Sequence, residues 1–263
     1  MSRKMIRTAG VAAAMVIATF GLTGCRAPDT PAGWSSYTIE QGAHSASVYR
    51  PAGVAGPLAG WVSPGGTSRT YDLVLTPTAE YVLTSPTQPD DQFDWNKLPG
   101  FSDCGDFDLA RNGAMFGWRW RIDTAPRVLE LVPYANADGV HQYPESPLVT
   151  LAHDDLVAKE PLRYSIRIDG SSYRFAIDGT IRGREIHETA TLPRFCPGGA
   201  AETGKWYSGF YFGGTSTAPS QMYAYVRESV DTPAFGGSVG LGSTGSSGSV
   251  FGGSESGLDS VRP

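Results

Sequence analysis

The chain has 263 residues and a formal charge of −5. Such an acidic balance argues against nucleic acid or any other polyanion held by bulk charge. With 33 Gly, 19 Pro, many aromatics and few Ala- or Leu-rich stretches, the composition fits a turn-rich β protein rather than a helical bundle.

The chain opens on a basic stretch (Arg3, Lys4, Arg7), followed by the apolar run Val11–Phe20 and then by Leu22-Thr23-Gly24-Cys25. Ten apolar residues are too few to span a bilayer, and the order basic–apolar–small is that of a secretory signal. Leu22 to Cys25 resembles the lipobox of bacterial lipoprotein precursors. That resemblance implies cleavage before Cys25, acylation of its thiol and amine, and an address on the outer face of the cell membrane. Two or three acyl chains would hold the protein there, since one alone binds only marginally. Removing the three basic residues of this leader takes the charge from −5 to −8. The expected organisation is a signal peptide over 1–24, a lipidated Pro-rich linker over 25–36, a domain over 37–230, and a Gly/Ser-rich disordered tail over 231–263.

Within the domain, strand-like runs recur at Tyr37–Gln41, Ser45–Arg50, Leu58–Ser63, Tyr71–Leu75, Tyr81–Leu83, Met115–Ile122, Val128–Tyr134, Leu148–Ala152, Leu162–Ile168, Tyr173–Ile177, Glu185–Leu192, Trp206–Phe212 and Met222–Arg227. Gly, Pro, Asp and Ser clusters separate them, which predicts an all-β antiparallel sandwich or barrel. The clearest unit runs from Tyr164 to Gly179. Tyr164, Ile166 and Ile168 alternate with polar residues, Asp169-Gly170 starts a turn, and Tyr173, Phe175 and Ile177 alternate again. A second turn is expected at Asp178-Gly179. This succession of strand, DG turn, Tyr-rich strand and DG turn resembles concanavalin A-like jelly rolls. These are the lectin and glucanase sandwiches, a fold shared by several polysaccharide lyases.

Five residues stand out as candidates for ligand binding: Arg119, Arg121, His187, Tyr207 and Tyr211. Phe116, Trp118 and Trp120 share one face of a strand, and Gly117, Arg119 and Arg121 the other. Three arrangements are open: an Arg-faced site for acidic glycans, an exposed Trp platform, or a Trp core with the Arg pair in salt bridges. In Trp206–Phe212, Tyr207 and Tyr211 flank Gly209 and oppose Trp206, Phe210 and Phe212. His187 beside Glu185 has the chemical type for acid–base work, but Glu185 and Glu188 face opposite sides and fail the two-carboxylate requirement of a glycosidase. The Arg-Glu, Gln-Ile-His and Tyr-Lys-Ala-Gly patterns of alginate-lyase sandwiches are absent.

The Asp-rich stretch Asp90–Asp108 reads as a long irregular loop, with calcium ligation as the alternative, although its spacing is not that of an EF-hand. No metal motif and no cofactor motif is present. In an oxidising compartment Cys104 and Cys196 read as a disulfide, the alternative being two free thiols. The expected function is a lipid-anchored exported protein that binds a polysaccharide or a surface protein, with no nucleic acid partner. A polysaccharide lyase or glycosidase is one alternative, and a partner-binding lipoprotein such as a phage-exclusion factor is another.

Overall fold

The computed structural model describes residues 26–52, 60–62, 68–106, 108–196 and 205–228, with backbone alone at 60–62 and 205–208. Cys25, the leader and the Gly/Ser tail lie outside the described residues. The strands in chain order are β1 (Ser35–Ile39), β2 (Ser47–Tyr49), β3 (Gly60–Val62), β4 (Ser68–Leu75), β5 (Asn96–Lys97), β6 (Gly100–Ser102), β7 (Gly113–Arg121), β8 (Val128–Ala137), β9 (Val140–Gln142) and β10 (Val149–Ala152). A short helix α1 (His153–Ala158) precedes β11 (Leu162–Asp169), β12 (Ser172–Ile181), β13 (Arg184–Pro193), β14 (Lys205–Ser208) and β15 (Met222–Glu228).

These strands form two antiparallel sheets packed as a sandwich. The first has the order β13-β12-β11-β4-β15-β1-β2, and the second β10-β8-β7-β6-β14-β3, with β5 added to β7 and β9 to β8. Alternation in each strand sends one row inward. Tyr164, Ile166, Phe175 and Ile177 from the first sheet meet Phe116, Trp118 and Leu131 from the second. Trp118 stacks on Phe210 at 5.2 Å, and Phe116 meets Phe175 edge-on at 5.3 Å. The Trp row of β7 is therefore core, which excludes the exposed Trp platform.

The β11–β12 hairpin turns at Gly170, between the paired residues Asp169 and Ser172. Asp178-Gly179 is not a turn. β12 continues to Ile181, and the chain reverses at Arg182-Gly183. Glycine is required at 179 because Leu162 packs where a side chain would stand, with its Cδ2 2.9 Å from an ideal Cβ. Tyr81–Leu83 is not a strand either. Tyr81 is buried behind the 3-10 turn Pro77–Ala79, and its hydroxyl accepts a hydrogen bond from Asn96 Nδ2.

Residues 26–33, read as a linker, lie packed on the outer face of the first sheet. Ala27 and Trp34 join Val74 and Tyr225 in a small apolar cluster. Ala27 N–H donates to Ser36 Oγ at 3.1 Å, and Tyr225 Oη donates to the Pro28 carbonyl. The apolar outer row of β4 and β15 gives this segment a seat that its own composition does not reveal.

Cys104 and Cys196 are bonded, closing a separation of 92 residues. In the chain-entropy model a loop of this size contributes about 4 kcal/mol. Urea unfolding with and without reductant should differ by that order; coincident curves would show that the bond adds nothing.

Candidate functional site

The outer face of the second sheet carries a continuous strip of aromatic and basic side chains. It is built on two short pairings. β5 pairs with β7, setting Asn96 opposite Trp118 and Lys97 opposite Gly117. On its other side Lys97 pairs with Tyr211, with backbone hydrogen bonds of 2.8 and 2.9 Å. Residues directly opposite in an antiparallel pair share a face. Asn96, like Trp118, points inward, where its side chain holds the Gly213 N–H at 2.7 Å. Trp95, Lys97 and Tyr211 share the outer face with Met115 and Tyr134, which pair across β7 and β8.

Gly117 makes room for Trp95. An ideal Cβ there would lie 3.0 Å from Val132 Cγ1 and 3.3 Å from Trp95 Cε3. The Arg119 guanidinium sits 3.9 Å from the Trp95 ring centre, within cation–π range. Tyr143 meets Trp95 edge-on at 5.9 Å and stacks on Tyr134 at 5.5 Å. Lys97 Nζ lies 4.7 Å from the Tyr134 ring centre, and at the far end His44 stacks on Tyr211 at 5.5 Å. Trp95 is 6% exposed and Tyr143 48%, so Tyr143 is the open part of the strip. The Trp95 indole N–H is buried without a hydrogen-bond partner among the described residues.

Charge on the strip is nearly cancelled. Arg119 bonds Glu130 at 2.8 Å and the Phe93 carbonyl at 3.0 Å. Arg121 bonds Glu130 at 3.0 Å and Asp123 at 2.7 Å. Among the described residues Lys97 makes no salt bridge, and its ammonium donates only to the Trp95 carbonyl. Burial lowers the Lys97 pKa to about 8, against the opposing field of Asp94. Burial also raises the Tyr211 phenol, and it raises Tyr134 with help from Tyr143 and Asp94, so both stay protonated. Asp94 is itself raised, first by burial and then by the charge of Asp91.

Of the sequence candidates, the structure brings Tyr211 and Arg119 onto one strip, with Arg121 at its margin. Glu130 lies opposite Arg119 on β8 and neutralises it, so the Arg pair is a structural ion-pair network rather than an open anion clamp. His187 is elsewhere. It lies on β13 in the first sheet, exposed, bonded to Asp178 on β12 across from it. The sandwich therefore separates His187 from Tyr211, and the pair does not form an acid–base site. The side chain of Tyr207 lies outside the described residues. The Asp-rich stretch is organised by its own bonds. Asp106 and Asp108 accept backbone N–H groups two residues on, and Asp103 is buried against Arg194 and Tyr173. Asp103 also lies near both cysteine sulfurs, but these are joined to each other.

Trp95, Lys97, Tyr134, Tyr143 and His44 are not singled out by the sequence. A signal exists in the alternation Trp95–Asn96–Lys97, but its Asp- and Pro-rich surroundings hide it.

No protein-family model matches the chain, and no curated protein matches it. Among solved structures it is similar to alginate lyase Aly36B, with 15% identity and a TM-score of 0.37 over 73% of this chain and 78% of that one. It is also similar to the alginate lyase from Klebsiella pneumoniae (13%, 0.39, 62% and 58%) and to alginate lyase vAL-1 from Chlorella virus (10%, 0.34, 74% and 82%). What the strip can do rests on its own residues.

Proposed function

We propose that the protein is an exported, lipid-anchored β-sandwich that binds an acidic glycan along the strip from Trp95 to Tyr211. The observation that supports this most is Lys97, whose ammonium makes no salt bridge among the described residues and lies 4.7 Å from the Tyr134 ring centre on a strip of further aromatic side chains. A cation with a perturbed pKa beside stacking surfaces is a candidate binding group. A uronate carboxylate would pair with Lys97 while the sugar face lies on Tyr143. Acylation of Cys25, one residue before Arg26, would turn the first sheet toward the membrane, because residues 26–33 are seated on that sheet. The strip would then face away from the bilayer.

The test is retention of the soluble domain on immobilised uronic-acid polysaccharides, compared with Tyr143→Ala. Tyr143 is half exposed, so its loss should spare the fold and weaken binding about tenfold. Equal retention of both proteins would remove the strip from the account.

A second reading, favoured by the low Lys97 pKa, is β-elimination of a uronate chain. Neutral Lys97 would take the C5 proton while the Tyr211 phenol gives its proton to the O4 leaving group as the C4–O bond breaks, leaving a C4–C5 double bond. The rate should then rise with pH through about 8 as Lys97 loses its proton. No unsaturated product from alginate, pectate or hyaluronan at pH 8 to 9 would leave binding alone.

A further inference from the structure

Beside the strip, at the end of the sandwich, an open cleft of about 310 Å³ is lined by Gln41, Thr84, Ser85, Thr87, Ser216 and Thr217, and none of the described residues lining it is ionisable. Its volume sits at the lower bound of ligand pockets. The floor is fixed: buried Ser216 donates its hydroxyl to Asp91 and accepts the Thr87 N–H at 2.7 Å. The side chains of Thr84, Ser85 and Thr217 make no hydrogen bonds among the described residues, so their hydroxyls are available to a ligand.

Two segments contribute to both the cleft and the strip. Residues 42–46 run along 210–218, joined by Gly42 N–H to the Ala218 carbonyl (2.9 Å), Ala218 N–H to the Ala43 carbonyl (3.0 Å) and Phe212 N–H to the His44 carbonyl (2.8 Å). His44 and Tyr211 end the strip, while Gln41 and Ser216 line the cleft. Gln41 and His44 are three chain steps apart, a span of at most about 11 Å, which a short oligosaccharide bridges.

We propose that this cleft is a second subsite that takes a neutral, hydroxyl-rich sugar residue of the chain lying on the strip. The proposal rests on the glycan reading above and narrows it. An acidic residue is held at Lys97, but the described lining of the cleft offers no cation to a second carboxylate. The lining's hydroxyl and amide groups pair with sugar hydroxyls and give a carboxylate no opposite charge, which favours a neutral residue there. The ligand is therefore a mixed polysaccharide, with neutral residues between uronates, and not a pure polyuronate.

The experiment uses hexasaccharides with uronate at every position, at alternate positions or at none, together with the matching disaccharides, measured by calorimetry. The wild-type domain is compared with a Ser85→Tyr/Thr217→Tyr variant, whose two exposed positions tolerate bulk and fill the cleft. The alternating hexasaccharide should bind about tenfold tighter than the all-uronate one. The double variant should erase that gain while leaving uronate-containing disaccharides unaffected. Equal affinity for the two hexasaccharides, or a gain that survives the double variant, overturns the subsite. Absence of binding by every member of the set is a failure of the strip itself and removes both.

Discussion

Lys97→Met is expected to weaken binding of an acidic oligosaccharide by about thirtyfold or more while raising the stability of the free protein. An anchor side chain in a desolvated site is worth about 2 kcal/mol or more. The stability gain has a separate source. Burial holds Lys97 at about 8, below its value of about 10.4 in the unfolded chain, so the charged form is disfavoured in the fold. Between those pH values the unfolded state binds more protons, and wild-type stability should rise with pH across that window. Methionine fills similar space without the charge and should add about 2 kcal/mol at pH 7, less whatever the lost hydrogen bond to the Trp95 carbonyl contributed. Urea unfolding at pH 7 and pH 10 checks this, because the pH-dependent increment should vanish in the variant. A less stable Lys97→Met protein that still binds would make Lys97 structural.

Asp91→Ala is expected to lose about 3 kcal/mol of stability and most of the binding, although Asp91 lies off the strip. Its buried carboxylate accepts hydrogen bonds from Gln88 N–H, Thr215 N–H, the Thr215 hydroxyl and the Ser216 hydroxyl. Burial works to raise its pKa, but the bonds from Ser216, Gln88 and Thr215 outweigh it and hold the carboxyl below the ordinary range. The contribution is thus present above pH of about 4 and is lost as pH falls through the folded value. These bonds tie residues 213–216 against 91–95, where Gly213 approaches the Trp95 carbonyl too closely for any side chain. Freed of them, the 210–213 segment loses its register on Lys97, and Tyr211 and the cleft wall move together. Asp91→Asn keeps the shape and part of the bonding, so it should fall between. A binding-competent Asp91→Ala protein would separate the loop from the site.

The alternation in β7, β11 and β12 is legible because each strand has one face in the core, and the same holds for Phe210 and Phe212 against Tyr211. Register is not legible. That Glu130 stands opposite Arg119 depends on how β7 pairs with β8, and it turns an apparent anion clamp into an internal salt bridge. Lys97 is hidden for a similar reason. Its strand has two residues, and its face is fixed by Gly117 and Tyr211, which lie 20 and 114 positions further along the chain. His44 and Tyr143 come from connections whose paths follow from tertiary contacts. Residues 26–33 look like a linker until the outer row of β4 and β15 is in place.

The most direct test of the strip is the NMR of ¹³C-methylated lysines. The chain has four, Lys4, Lys97, Lys159 and Lys205, so the Lys97 signal can be assigned by comparison with Lys97→Met. In the free protein its methyl resonance should titrate near 8. Adding a uronate-containing hexasaccharide should shift that resonance and raise its midpoint, since a carboxylate beside the ammonium favours the charged form. An oligosaccharide that binds while the Lys97 resonance and its midpoint stay unchanged would contradict the account.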